Sequence, residues 1–254
     1  SSRTKFLPIL DERGTLASVY GDFVDQISIK TAVVMAGGFG RRLKELTKFK
    51  PKPLVHVQGE PLIEHVLQKL EGSKINEIFL TVHYKADQIE KYIRQRNNEA
   101  KIHIVFEEKP LGTAGALKNI EFSDTRPFLV SNCDIISDLK IEQLDRYSLD
   151  NQCDLLAAVK KIKHHIPFGV VEFDENLQFS SITEKPSHEF YISTGVSLIS
   201  PKILDIISNG EVIDMPELVN RAHLSGFKVN VFPMHETWFD LGHEEDVKKF
   251  NDYS

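Results

Sequence analysis

The sequence predicts an α/β protein with a mixed, mostly parallel sheet flanked by helices. Three observations carry that expectation. From Thr31 onward, short apolar runs alternate with longer stretches whose apolar residues recur at helical spacing. Two of those runs end at Gly37 and Asp134, beyond the carboxyl ends of strands, where open parallel sheets hold their ligands. After Asp154 the pattern shifts to strands separated by turns, which adds mixed pairing on the same core.

Taken in chain order, Phe6–Leu10 and residues 15–20 read as a hairpin turned at 11–14, with a short helix after it. Residues 32–36 are a buried strand. Residues 61–70 are a helix, with Pro61 in its first turn and Leu62, Ile63, Val66, Leu67 and Leu70 on one stripe. A strand at 75–82, an amphipathic helix at 87–96 and strands at 102–106 and 128–131 follow. Residues 111–116 are a small-residue turn opening a helix. Strands at 155–160, 169–173, Phe179–Thr183 and 193–199 complete the pattern, and the apolar run before Asp240 reads as one more. The expected organisation is a hairpin over 1–30 and one catalytic-size domain over 31–254, with halves at 31–150 and 151–254.

The stretch over 31–57, TAVVMAGGFGRRLKELTKFKPKPLVHV, is the most informative. Its strand breaks into Ala36, Gly37, Gly38, Phe39 and Gly40, followed by Arg41 and Arg42. Glycines let backbone N–H groups close on an anion, and arginine forks onto phosphate oxygens. Lys52 lies between Pro51 and Pro53, which stiffen the segment. Together these read as a polyphosphate site; the bland alternative is a turn with solvated cations. The spacing fits neither G-x-x-x-x-G-K-[ST] nor G-x-G-x-x-G.

Asp134 ends the strand of LVSNCDI, and Asp240 ends that of TWFDLG. Beside a polyphosphate their natural partner is Mg2+, which takes one or two carboxylates plus phosphate oxygens. Gly112, Thr113 and Gly115 form a loop suited to lie flat on a base. Glu184 and Lys185 follow an apolar strand, with Lys185 available to a phosphate as a point charge.

Composition removes other classes. The chain has 254 residues, 41% hydrophobic and 27% charged, as soluble globular proteins do. A net charge of -6 argues against a nucleic-acid binder. Apolar runs stay well short of the ~20 residues of a membrane span, and a secretory signal pattern is absent. Two cysteines are too few for a disulfide scaffold or a zinc site, so a reducing cytoplasm is expected. The opening Ser1-Ser2-Arg3 reads as a cut end.

These pieces together resemble the sugar-1-phosphate nucleotidyltransferase family over about residues 31–250. AGGFGRRL is similar to the AGG-x-G-T-R-L signature, KPKPL to the proline-lysine-proline element, and PLGTAGAL to the base-reading loop. SNCDI and WFDLG resemble the two metal-aspartate strands, and FGVVE and EKP the sugar-binding elements. Three departures stand out: Arg41 for the usual Thr, Cys133 before Asp134, and Ser193-Thr194-Gly195 for Asn-Ala-Gly. The Glu108-Lys109-Pro110 lead-in is most similar to GTP-using members. The N-terminal hairpin resembles the end of a CBS domain, and DMPEL at 214–218 resembles CBS-fused members, some of which use glucosamine 1-phosphate.

The resemblance implies a Rossmann-like nucleotide-diphospho-sugar transferase fold. It implies Mg2+-dependent transfer of a nucleotidyl group from an NTP, GTP favoured, to glucosamine or mannose 1-phosphate. Arg42, Lys52, Asp134 and Lys185 would be catalytic, and Asp134 and Asp240 the metal ligands. Ala36, Gly37, Gly38, Gly40, Gly112, Thr113 and Gly115 would bind nucleotide. Gly169, Glu172, Glu184, Lys185 and Thr194 would face the sugar. A homo-oligomer is compatible with it, and nucleic acid and membrane are not expected partners. The alternatives are the same reaction with UTP or dTTP, and a non-catalytic regulatory relative.

Overall fold

The structure, a computed structural model, describes residues 6–10, 16–21, 27–123 and 125–253. The strands are β1 (Phe6–Leu10), β2 (Leu16–Gly21), β3 (Thr31–Met35), β4 (His56–Val57), β5 (Glu60–Pro61), β6 (Glu77–Val82), β7 (Lys101–Phe106), β8 (Phe128–Asn132), β9 (Ile135–Ser137), β10 (Leu155–His165), β11 (Val170–Phe173), β12 (Phe179–Thr183), β13 (Ser187–Ile199), β14 (Val229–Met234) and β15 (Trp238–Asp240). The helices are α1 (Leu62–Gly72), α2 (Ala86–Gln95), α3 (Gly112–Gly115), α4 (Ile141–Asn151), α5 (Met215–Leu224) and α6 (Glu244–Asn251).

Seven strands form the central sheet in the order β14-β10-β13-β8-β3-β6-β7. Among the described residues β13 alone runs antiparallel to its sheet neighbours, so the sheet is mostly parallel, as the alternation of runs predicts. From β3 the chain passes outward to β6 and β7, then returns to β8 on the other flank of β3. That reversal opens a crevice between β3 and β8 at their carboxyl ends.

Strand alternation sets the layers. Ala32 and Val34 point into one apolar layer with Ile63 and Leu67 of α1 and Ile89 of α2, while Val33 points into the other with Leu218 and Ala222 of α5. Each fully buried Leu or Ile here contributes roughly 1.5–3 kcal/mol. Arg96, just past α2, is 8% exposed and binds two buried carboxylates, Glu64 at 2.8 Å and Glu71 at 2.7 Å, which ties α1 to α2.

The structure moves several boundaries. Pro61 pairs with His56 in the short β4–β5 ladder and the helix begins at Leu62. Ile75 belongs to the exit from α1, donating its N–H to Leu70 O, and the strand begins at Glu77. The strand expected at 193–199 starts at Ser187, and the one expected at 155–160 continues to His165. The small-residue turn opens only the four-residue α3. β1 and β2 pair antiparallel as expected; the turn at 11–14 and the short helix after β2 lie outside the described residues.

Candidate active site

The crevice holds a cleft of about 400 Å3. Its floor is set by hydrogen bonds at the strand ends: Ala36 N–H donates to Thr81 O (3.0 Å) and Cys133 N–H to Met35 O (3.2 Å). Past that point the two chains splay, and Gly37, Gly38 and Gly40 face Asn132 and Asp134 across the opening. Gly40 has φ +66°, and a Cβ there would lie 2.9 Å from Thr47 Cγ2 and 3.0 Å from Lys52 Cβ. A glycine is therefore required where the loop turns toward the cations.

Arg41, Arg42 and Lys52 supply the positive charge lining the cleft. Lys52 is buried in a short 3-10 turn that begins after the extended Pro51, and its Nζ bonds the Asp134 carboxylate. Arg42 lies 3.4 Å from His243 Nε2, and Arg41 stacks its guanidinium 4.9 Å from the centre of the Phe39 ring.

Asp240 reaches the same place from the far end of the chain. β15 pairs antiparallel with β9, setting Asp240 opposite Ile135, and Leu241 N–H donates to Asp134 O at 3.0 Å. Burial first, and the Asp134 charge second, push the Asp240 carboxyl up, with Lys52 and Arg42 opposing. Two strand-end carboxylates, Asp134 paired here with Lys52, have the donor chemistry that suits Mg2+ completed by phosphate oxygens and water. Among the described residues there is no group of three or more metal-ligating side chains.

The opposite wall carries a group that sequence reasoning missed. Glu107, 7% exposed, follows β7 and accepts the Leu111 N–H at 3.0 Å through Oε2. Its Oε1 lies 2.6 Å from where a Cβ on Gly37 would stand, so Glu107 closes directly over the glycine turn. Burial pushes its carboxyl up, opposed by the Leu111 N–H, His83 and Thr81. The loop at Gly112 is pinned from outside: Thr113 N–H donates to Asp214 Oδ1 (2.9 Å) and Met215 N–H to Thr113 Oγ1 (2.8 Å). Gly112 has φ +79°, and a Cβ there would meet Ile213 O at 2.5 Å.

A second cleft, of about 300 Å3, adjoins the first and shares Thr113 and Asn132 with it. Asp214, Trp238 and Asp240 line it, with the backbone turn at Thr194 and Gly195. The Thr194 hydroxyl donates to Ala158 O (2.8 Å), and Trp238 Nε1–H donates to Thr194 O (3.0 Å).

Of the residues the sequence singles out, the first cleft gathers Gly37, Gly38, Gly40, Arg42, Lys52, Gly112, Thr113 and Asp134; the second adds Thr194 and Asp240. Ala36 is buried behind the turn, and Gly115 packs against Glu211 O. Gly169, Glu172, Glu184 and Lys185 line neither cleft; they lie on or beside the exposed β11–β12 hairpin, where Glu172 accepts the Ser181 hydroxyl at 2.9 Å. Cys133 is buried, with its thiol pushed up to about 12 by that burial, and so is an inert small side chain beside Asp134.

The Nucleotidyl transferase family model matches residues 31–253. The chain belongs to that family. Mannose-1-phosphate guanylyltransferase catalytic subunit beta of Drosophila melanogaster is 32% identical over 227 residues, covering 85% of this chain and 60% of that protein. The bifunctional protein GlmU of Methanococcus maripaludis is 29% identical over 233 residues, covering 87% of this chain and 53% of its own. The chain thus spans little more than half the length of these curated relatives. Among solved structures, HddC from Yersinia pseudotuberculosis complexed with GMP-PN matches with a TM-score of 0.66 and 27% identity, covering 89% of this chain and 99% of that one. The nucleotidyl transferase fold is thus the fold of this chain. Among its described residues no helix is long and apolar enough to cross a membrane.

Proposed function

We propose that this chain transfers a nucleotidyl group from a nucleoside triphosphate, GTP for preference, to a sugar 1-phosphate. The observation that carries this reading is the convergence of the glycine turn, Arg42, Lys52 and Asp134 in one cleft at the switch point of the sheet, with Asp240 brought beside Asp134 from the adjoining cleft by the β15–β9 pairing. In the reaction an oxygen of the sugar phosphate bonds to the α-phosphorus as the bond to the α,β-bridging oxygen breaks, and pyrophosphate leaves. Such a displacement asks the protein for in-line positioning and charge neutralisation. Arg42 would hold the departing β- and γ-phosphates, and Lys52 would meet the α-phosphate or the incoming phosphate. Lys185 stands on the hairpin outside both clefts, and a role for it at the sugar phosphate would need the hairpin to approach them. Mg2+ held by Asp134 and Asp240 would supply further neutralisation of the reacting phosphates.

Glu107 favours guanine. Its Oε1 is an acceptor beside the glycine turn, and the Watson–Crick edge of guanine offers two adjacent donors, N1–H and N2–H. The names of the Drosophila relative and of the HddC complex support the same base. The adjoining cleft is the sugar side, with glucosamine and mannose 1-phosphates as candidates. In the test, pyrophosphate release with Mg2+ is measured for GTP, UTP, dTTP, CTP and ATP against glucosamine, N-acetylglucosamine, mannose and glucose 1-phosphates. Turnover with GTP and one of these sugars is expected; silence across the grid sinks the reading.

A further inference from the structure

Beyond the reaction, the geometry points to a surface for a second copy of this chain: the ribbon formed by the outer halves of β10 and β13 together with β11 and β12. β10 has β14 beside it only as far as Lys160, and β13 has β8 beside it only from Val196. From 161 to 191 the two arms run with each other alone. Ile166 N–H to Pro186 O (3.0 Å) and Lys185 N–H to Phe168 O (3.2 Å) carry the pairing from the root to the β11–β12 tip.

An isolated two-stranded ribbon is marginal in water, and this one exposes what a core would hide. Half of the exposed large apolar side chains among the described residues lie on it. They form directly opposed pairs: Val171 with Ile182, Phe173 with Phe179 and, nearer the root, Ile162 with Phe190. At intervening positions Glu172 is bonded by Ser181 and Lys161 by Glu189 at 2.6 Å, with Tyr191 exposed opposite Lys161. The ribbon is therefore amphipathic with its apolar side uncovered.

Area and charge both select a second copy as the cover. Half-exposed aromatic and aliphatic side chains leave roughly 100 Å2 each to bury, so the six paired side chains offer about 600 Å2 per copy. A standard stable interface needs about 800 Å2 per partner. The root carries Lys161 and Lys163 against the single acid Glu189, a net positive charge, and the tip carries Glu172, Asp174 and Glu175. Two ribbons antiparallel about a two-fold axis set each basic root against the other copy's acidic tip, an isologous and self-complementary contact. Docking also braces Gly169, Glu172, Glu184 and Lys185, which the ribbon carries outside both clefts. The inference stands on the ribbon alone and does not depend on the reaction.

Sedimentation velocity of the whole chain from about 1 to 100 µM tests it, with far-UV circular dichroism as the check on folding. A dimer is expected, and Phe173→Asp with Phe179→Asp should raise its dissociation constant at least about a hundredfold while the spectrum is unchanged. Lys163→Glu should weaken it, and adding Glu175→Lys should restore much of the loss. A monomer throughout overturns the inference and leaves the ribbon to the extra length that the relatives possess. A dimer indifferent to the Phe173 and Phe179 changes overturns it equally. Failure of Glu175→Lys to restore Lys163→Glu refutes the antiparallel docking.

Discussion

Replacing Glu107 by Gln separates two consequences of one buried carboxylate. The change keeps shape and leaves an oxygen to accept the Leu111 N–H, 3.0 Å away. It removes a charge that burial disfavours, since the Glu107 carboxyl is pushed up. A raised carboxyl favours the fold below the ordinary carboxylate range, and that contribution is lost as pH rises through the folded value. At pH 7 the variant should therefore match or exceed the parent in stability, with the difference gone in acid. Binding should move the other way. A hydrogen bond to a charged group is worth about 1.5–3 kcal/mol against about 1 for a neutral one, and two guanine donors face this carboxylate in the proposed complex. Gln presents its own N–H donors to that edge, so GTP should bind about ten- to a hundredfold more weakly. Calorimetric titration with GTP, beside urea denaturation at pH 7 and pH 4.5, reads both arms. Unchanged GTP affinity in a folded variant refutes the assignment of Glu107 to the base.

Asp134→Asn should lower turnover about a hundredfold or more while leaving nucleotide affinity within a few-fold, read by pyrophosphate release and by titration in the same buffer. Near-normal turnover would remove Asp134 from the metal site. Arg96→Leu strands Glu64 and Glu71, both buried beside it, and should cost about 3–5 kcal/mol in urea unfolding. Burial would raise those two carboxyls, but Arg96 outweighs it and holds both below the ordinary range. Their stabilisation is thus present above about pH 4–5 and lost as pH falls through the lowered values, and the parent's acid-side loss should be shallower in Arg96→Leu. Gly112→Ala must accommodate φ +79° and a contact at 2.5 Å to Ile213 O, and should cost about 1–3 kcal/mol with a larger loss of nucleotide binding. Chemical unfolding and titration separate the two effects.

The first half of the fold was legible because its elements follow simple periods. α1 and α2 each show one apolar stripe, β3, β6 and β8 are short runs buried on both faces, and with β7 each is found within a few residues of where its pattern lies. α4 was not read, because it buries Asp145 and Ser148 on the face where a stripe would have shown. Asp145 is there to take the Ser28 backbone N–H and hydroxyl, a bond between residues 117 apart that no local pattern carries. α5, β14 and α6 were likewise unread, and the root of β13 escaped because residues 187–191 are exposed on both faces and show no alternation. At the site, the glycine turn and strand-end acids are contiguous motifs and could be found as such. Glu107 and Asp214 could not, since their roles come from the approach of Gly37 and Thr113 in the folded chain. Conversely Lys185 and Glu172 stand in motif-like surroundings, yet the folded chain sets them on the ribbon outside both clefts.

The placement of β8 beside β3 has a consequence for how the molecule is made. A ribosome adding about 5–20 residues per second completes β3 many seconds before Phe128 emerges to pair with it. In that interval β6 closes one edge of β3 while the other edge, with Val33 and Val34 beside it, stays open to any passing strand. The central pairing is thus late and non-local, a topology that folds slowly and relies on the nascent chain being shielded. The crevice that gathers the phosphate-binding groups exists only once that long-range closure is made.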